Sequence, residues 1–206
     1  MVQREVMATT EHDAQDRADM EQLAAGHDAA LNALMARHAE PLFRFLVRLL
    51  NNEDDANDLA QETFVRVYRA RSKFQPDRRF STWLYTIAAN LARNHLRWRA
   101  RHPTVSLSVE TNDDGITLMD QLPSAGETPR STLERQERME AVRNAVQRLP
   151  VDLREVLVLC QWEDCSMAEA AEILETTAKA VESRLYRARK ALHHELRDWL
   201  QEAVAG

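Results

Sequence analysis

The sequence contains few of the residues that mark secreted or membrane proteins. Its 206 residues include two cysteines, Cys160 and Cys165, whose spacing fits neither a disulfide framework nor a four-ligand zinc site. No apolar run approaches the roughly 18 residues that cross a bilayer. Residues 5–28 carry seven acids where a signal peptide needs an apolar core. These absences predict a cytoplasmic protein without membrane insertion, disulfides, metal or cofactor.

Glycine is also scarce, with four residues in the whole chain, and no long stretch of alternating β-branched residues predicts a sheet. We therefore expect an all-α fold. Apolar residues return at helical spacing from residue 28 to 50, with Pro41 expected to kink or break the helix. A second helix follows residues 51–55, and a third begins at Ser81 or Thr82, both suitable N-caps.

The periodicity stops over residues 103–128, which hold five acids and no lysine or arginine. Such a stretch is typical of a linker and predicts two small helical domains. Helical signals resume with Ser131 and Glu134, a capping box, and Asp152 is expected to cap the next helix after Pro150. The predicted division is a polar N-terminal extension over 1–25, disordered or weakly helical, a first domain over 26–102, the flexible acidic linker over 103–130 and a second domain over 131–202.

A helix-turn-helix is predicted in the second domain. Ser166 and Glu169 form another capping box at the start of a short amphipathic helix, and Glu175 opens a three-residue turn. The following helix places apolar residues on one stripe and basic residues opposite. This geometry is typical of a recognition helix in a DNA major groove, the alternative being a solvated helix of a bundle. The side chains expected on DNA are Lys179, Glu182, Ser183, Arg184, Arg187 and Lys190.

The charge distribution points to the same ligand. The formal net charge is −6, yet residues 74–102 carry six arginines against one acid, and residues 177–197 carry six basic residues against two acids. A polyanion would therefore be attracted to two places. In the first segment, one helix face and the basic loop before it are predicted to contact DNA through Arg78, Arg79, Phe80, Asn90, Arg93, Asn94 and Arg97. For Trp83 and Tyr85 we expect core or rim positions.

Four motifs, in order, resemble the extracytoplasmic-function (ECF) sigma factors, small two-domain subunits that direct bacterial RNA polymerase to promoters. They are DANDLAQETF at 55–64, FSTWLYTIAAN at 80–90, LPVDLR at 149–154 and VESRLYRARK at 181–190. The resemblance covers about residues 25 to 200. It departs from the family at Glu175, where glycine is frequent, and at Glu182, where many members are basic. A positive φ at Glu175 would cost about 1 kcal/mol.

The resemblance implies a function and partners. The partners are core RNA polymerase (the β′ clamp helices and the β subunit), promoter DNA, and an anti-sigma factor that is often membrane-bound. The resemblance assigns Asp58, Leu59, Gln61 and Glu62 to the clamp helices. It assigns Asn90 and the loop over 74–80 to a flipped base of the melted minus-ten element, and Ser183, Arg184 and Arg187 to the minus-thirty-five element. It implies that the acidic linker runs through the core enzyme toward the RNA exit path.

Two other functions compete with this one. A dimeric helix-turn-helix regulator that binds duplex DNA without polymerase accounts for the C-terminal half alone. A redox or metal sensor, or an enzyme, would use Cys160, Cys165 and the histidines. No nucleophile, base and orienting group occur at suggestive spacing, so we expect no catalytic residues.

Overall fold

The computed structural model describes residues 2–102 and 129–197, with side chains described from residue 12 in the first range and from residue 135 in the second. Both ranges are helical, and neither contains a strand. The fold is all-α, as predicted. The helices are α1 (Val2–Ala24), α2 (Ala29–Leu50), α3 (Glu53–Arg69), α4 (Phe80–Arg101), α5 (Pro129–Arg148), α6 (Val151–Gln161), α7 (Met167–Ile173) and α8 (Ala178–Glu195), with a short 3-10 turn at Arg71–Lys73.

Helix α2 continues through Pro41, so the prediction of a break there is wrong. A proline removes one backbone donor and crowds the preceding turn, which costs about 3 kcal/mol in a helix interior. Burial on both sides offsets this cost, because Leu34 precedes Pro41 and Leu42, Phe45 and Leu46 follow it on the same buried stripe.

The N-terminal extension is a long helix, α1, which decides between the two alternatives that the sequence left open. Its last turns pack Met20 and Leu23 into the core. Asp16, only 1% exposed, accepts hydrogen bonds from Arg37 Nε at 2.9 Å and pairs with His38 Nε2 at 2.7 Å. Because an acid occupies a core position, the apolar period of this helix is concealed in the sequence.

Two helices, α4 and α6, start without the N-caps predicted for them, whereas α7 has its predicted capping box. Helix α4 begins at Phe80 with Arg79 as N-cap, so Ser81 and Thr82 lie inside its first turn and do not cap it. Helix α6 likewise begins after Pro150, and Asp152 lies in the first turn without capping. The capping box of α7 is confirmed, since Ser166 Oγ accepts from Glu169 N at 3.2 Å while the Glu169 carboxylate accepts from Ser166 N at 2.9 Å.

The turn between α7 and α8 has the expected strain. Glu175 adopts a φ of 52°, the left-handed region that favours glycine. The next helix is capped by Thr177, whose hydroxyl accepts from Ala180 N at 3.2 Å. The two helices therefore meet as a helix-turn-helix.

The N-terminal half (α1–α4) and the C-terminal half (α5–α8) pack against each other. Helix α4 lies against α7, and α2 lies against α6, so that one apolar core runs through both halves. The buried Arg154 of α6 donates to the carbonyl of Leu49 at 2.6 Å, and Gln147 Nε2 donates to the carbonyl of Arg48 at 2.7 Å. These bonds satisfy free carbonyls at the end of α2. The packing places the polar face of α4 opposite α6 and α7.

Candidate nucleic-acid interface

Helix α4 brings four predicted DNA-contacting residues onto one face. Arg93 Nη1 donates to Asn90 Oδ1 at 3.0 Å, and Arg97 Nη2 donates to Asn94 Oδ1 at 2.6 Å. Asn94 and Arg97 are exposed, whereas Asn90 and Arg93 are half-buried. Each arginine thus holds the amide of the asparagine three residues before it, which leaves the amide NH₂ as a donor for a base edge.

The loop before α4 presents two arginines but not the aromatic ring expected with them. Arg78 is exposed and Arg79 is half-buried. Phe80 is 2% exposed, with its ring edge-on to His38 at 5.0 Å and to Phe74 at 6.2 Å between centroids. Its ring is therefore part of the core in this conformation and does not reach the surface. Trp83 packs beside Phe74, at 5.3 Å, in the rim position expected of it.

Acidic side chains from three other helices contact these arginines. Arg93 Nε lies 2.8 Å from Glu155 Oε1 of α6. Arg79 pairs with Glu169 of α7, and its Nε lies 2.8 Å from Oδ2 of Asp13 in α1. No local pattern in the sequence indicates these pairs, because the two partners of each pair are far apart along the chain.

Burial affects these carboxylates differently. Burial raises the pKa of Glu155, and the nearby Arg93 offsets only part of that rise. For Glu169, burial also acts to raise the pKa, but hydrogen bonds from Ser166 and the charge of Arg79 outweigh it and hold the pKa below its ordinary value. The ionised form of Glu169 is therefore favoured where it faces Arg79.

Helix α8 exposes the second predicted surface. Lys179, Glu182, Ser183, Arg187 and Lys190 are exposed, and Arg184 is half-buried. Val181, Leu185 and Ala188 are buried on the opposite side, as the amphipathic pattern predicts. Arg184 and Arg187 each lie 3.8 Å from the exposed Asp152. One exposed aromatic residue was missing from the predicted set: Tyr186, 69% exposed, whose outward position the period indicated.

Helix α3 carries the predicted polymerase-binding residues at its solvent side. Asp58 and Gln61 are exposed, while Leu59 and Glu62 are half-buried. Glu62 also pairs with Arg66 at 2.8 Å one turn later. The four residues share one face, as their spacing requires.

Burial disfavours the reactive thiolate form of both cysteines. Burial raises the pKa of Cys160 and raises that of Cys165 to about 12. A protonated thiol is a poor nucleophile and a poor metal ligand. Within residues 2–102 and 129–197 no group of three or more His, Cys, Asp or Glu side chains is arranged to hold a metal ion. Over the same ranges no helix is both long and apolar enough to cross a membrane.

Comparison with known proteins assigns both halves. Residues 34–102 match the family model of Sigma-70 region 2, and residues 139–192 match Sigma-70, region 4. RNA polymerase sigma-H factor of Pseudomonas aeruginosa is 34% identical over 189 residues, covering 92% of this chain and 97% of its own length. The ECF RNA polymerase sigma factor SigW of Bacillus subtilis is 31% identical, covering 87% of this chain and 95% of its own.

The chain belongs to the ECF family of RNA polymerase sigma factors. A solved structure of CnrH in complex with the cytosolic domain of CnrY resembles this sigma factor with a TM-score of 0.65 and 29% identity, covering 89% of this chain and 98% of that one. The sigma factor RpoE of Bartonella quintana, solved with the anti-sigma factor NepR, shares the fold at a TM-score of 0.61 and 23% identity.

The matched regions contain every predicted site residue of this sigma factor. Helix α3, the loop before α4 and α4 itself lie in region 2, and the helix-turn-helix lies in region 4. Helix α1 precedes the region 2 match. The linker prediction falls on residues 103–130, of which 103–128 lie outside the described residues.

Proposed function

We propose that this sigma factor binds core RNA polymerase, recognises the minus-ten and minus-thirty-five promoter elements, and stabilises the melted strand for initiation. The family is that of transcription initiation factors, and we propose no catalytic role beside it. The observation that carries the proposal is the pair of sigma regions, each with a face of arginine and hydrogen-bonding side chains.

Helix α8 is suited to duplex DNA. Its exposed face is basic and follows a short packed helix through a tight turn, as in helices that enter the major groove. Glu182, Ser183 and Arg187 are assigned to base edges, and a glutamate can accept a hydrogen bond from cytosine N4. Lys179, Arg184 and Lys190 are assigned to phosphates, which fix register and add salt-dependent affinity.

Helix α4 and the loop before it are suited to the melted minus-ten strand. Asn90 and Asn94 offer amide groups to a flipped base, and Arg78, Arg79, Arg93 and Arg97 supply the charge that holds phosphates. A stacked or pocketed base contributes about 1–3 kcal/mol, enough to offset the cost of unstacking it.

Helix α3 is proposed to dock on the clamp helices of the β′ subunit through Asp58, Leu59, Gln61 and Glu62, with further contacts to the β subunit. The mixture of one apolar and three polar side chains is suited to an interface that forms and dissolves with each initiation cycle. As a polymerase subunit, the protein is proposed to act in the cytoplasm.

An anti-sigma factor is proposed as the regulator, held at the membrane as the family resemblance implies, with release during stress. CnrH, one of the structural relatives, was solved in complex with the cytosolic domain of CnrY. A partner that occupies region 2 and region 4 together would block both promoter faces.

Reconstituted transcription tests the proposed function. Purified sigma factor is added to core RNA polymerase over a randomised promoter library, and transcripts are sequenced. We expect enrichment of two elements at fixed spacing, only when core enzyme is present. A palindromic footprint by the sigma factor alone would favour a dimeric regulator, and failure to bind core enzyme would refute the proposal.

A further inference from the structure

Three aromatic rings lie close together at the C-terminal end of α4, outside the set of residues assigned to the minus-ten element. The centroid of the Trp98 ring is 6.5 Å from that of His95 and 5.1 Å from that of His102, and the pair with His102 is stacked. Trp98 is 49% exposed, whereas the buried residues of α4 end at Ala92. These three residues, which we call the ring cluster, are therefore not part of the protein core.

Polar contacts fix the two histidines of the ring cluster. Asp55, at the start of α3, places Oδ2 at 3.1 Å from Nε2 of His95, and the same oxygen accepts from Nη1 of Arg99 at 3.1 Å. Nδ1 of His102 donates to the carbonyl oxygen of Trp98 at 3.0 Å. The rings are thus arranged before a ligand arrives, and a preorganised surface loses less conformational entropy on binding.

The charge around the ring cluster indicates an anionic ligand. Helix α4 contains no acidic residue, and its last nine residues include four arginines, which are Arg93, Arg97, Arg99 and Arg101. Arg97 and Arg101 are exposed, as Trp98 is. Exposed aromatic rings among arginines are typical of surfaces that bind single-stranded nucleic acid, because the rings stack on bases while the guanidinium groups hold phosphates. A nucleic acid therefore matches both the arginines and the rings.

The position of Trp98 relates it to the two amides on α4 that are proposed to contact bases. Trp98 lies one turn after Asn94, on the same side of the helix. At a rise of about 1.5 Å per residue it is about 12 Å along the helix axis from Asn90. Stacked bases of one strand are about 3.4 Å apart, so Trp98 lies about three to four base positions from the base that Asn90 is proposed to hold.

We propose that the ring cluster is a further DNA-binding site of this sigma factor, where Trp98 and His102 stack on a base about three to four positions from the one held by Asn90. This proposal rests on the proposed function of α4. Every base presents a π-face, so the contact adds affinity without reading the sequence. The amides select the element, and the ring cluster holds the strand beside it.

Abasic substitution tests the proposal in the complex of the sigma factor with core polymerase. The probe is a dye-labelled promoter selected from the library, mismatched across the minus-ten region so that its bases are unpaired. One abasic nucleotide is placed at each position of the nontemplate strand in turn, and affinity is measured by competition against the unmodified probe. The base held by Asn90 is the one whose removal no longer weakens binding in Asn90→Ala.

Trp98→Ala should weaken binding to the unmodified promoter about tenfold, whereas Trp98→Phe, which keeps a ring, should stay within about threefold of the parent. In the parent, one abasic nucleotide about three to four positions from the Asn90 base should weaken binding about tenfold, and in Trp98→Ala the same nucleotide should have less than about a twofold effect. Because no charge is removed, the slope of log affinity against log salt should not change. Trp162→Ala, at a tryptophan 38% exposed in the C-terminal half, is the matched control and should bind as the parent does.

Equal affinities of Trp98→Ala and Trp162→Ala would overturn the proposal. A parent that tolerates abasic nucleotides at both expected positions would overturn it as well, and that result requires no variant to fold. If Trp98→Ala lost core binding in a pull-down while its circular dichroism matched the parent, the ring cluster would contact polymerase and not DNA, which also overturns the proposal. A parent complex that binds no promoter would refute the proposed function, so the two failures give different results.

Discussion

The two helices expected to contact promoter DNA, α4 and α8, differ in what covers them. The arginines beside and on α4 are paired with acids of α1, α6 and α7. The basic face of α8 is exposed, and Arg184 and Arg187 each lie 3.8 Å from Asp152 in their own half. The two faces proposed to contact DNA therefore differ in how far their arginines are already paired within the protein.

The difference follows from what each helix packs against. Helix α8 buries one side on α6 and α7 and leaves the other in solvent. Helix α4 is packed from both sides, by α3 on one and by α7 on the other. If α8 contacts duplex DNA and α4 the melted strand, as proposed, the first contact needs no rearrangement of this fold, whereas the second needs Arg79 and Arg93 to leave Glu169 and Glu155.

The largest effect is expected from Arg154→Met, which removes a hydrogen bond between the N-terminal and C-terminal halves. The buried guanidinium donates to the carbonyls of Leu49, Leu149 and Gln147, and methionine leaves these oxygens without a donor. We expect the free energy of unfolding to fall by about 3 kcal/mol, measured by urea denaturation. Arg189→Met, an exposed control on α8, should change it by no more than about 0.5 kcal/mol. Equal stability of both variants would contradict the role of Arg154.

The next largest effect is expected from Asp16 in α1, the helix whose Asp13 pairs with Arg79. Burial acts to raise the pKa of Asp16, but the hydrogen bonds and charges of His38 and Arg37 outweigh it and hold that pKa below its ordinary 3.8. The stabilisation is therefore present above pH 3.8 and is lost as the pH falls through the lowered pKa. Asp16→Asn should reduce the free energy of unfolding by about 2 kcal/mol at pH 7.

The pH dependence supplies the check on Asp16. The difference in unfolding free energy between parent and Asp16→Asn should shrink as the pH falls from 3.8 through the lowered pKa, where the folded parent also loses the charge of this carboxylate. The exposed Asp28→Asn serves as the control and should match the parent throughout. A difference that does not depend on pH would show that Asp16 acts through packing alone.

The sequence predicts the parts of this comparison that depend on local pattern. The apolar period and the Ser166 capping box predicted the helix-turn-helix, and four motifs predicted the family. What the sequence concealed were non-local effects: the core acid Asp16 hid the period of α1, and the burial that carries α2 through Pro41 depends on tertiary packing. The pairs between Arg93 and Glu155 and between Arg79 and Glu169 join distant segments, and no spacing rule indicates them.

Asn90→Ala sharpens the comparison on the covered side. Loss of an amide at a base edge should lower transcription with core polymerase about tenfold, within the 1–3 kcal/mol expected for a base contact. Core binding in a pull-down should be unchanged, because Asn90 lies on α4 whereas the residues proposed to dock on polymerase lie on α3. Asn144→Ala, an exposed site on α5, is the matched control. Unchanged transcription would remove Asn90 from the minus-ten site.

Arg187→Ala tests the open side, where the effect should appear without polymerase. Its side chain is 58% exposed on α8, so the free chain can use it on duplex DNA. We expect binding to a minus-thirty-five duplex, selected from the library, to weaken about fivefold, and the slope of log affinity against log salt to fall by about 1 if the arginine also neutralises a phosphate. Arg148→Ala on α5, whose side chain is also solvent-exposed, should leave both unchanged. If the Arg187 effect required core polymerase, α8 would be covered in the free protein as well, and the contrast between the two helices would be lost.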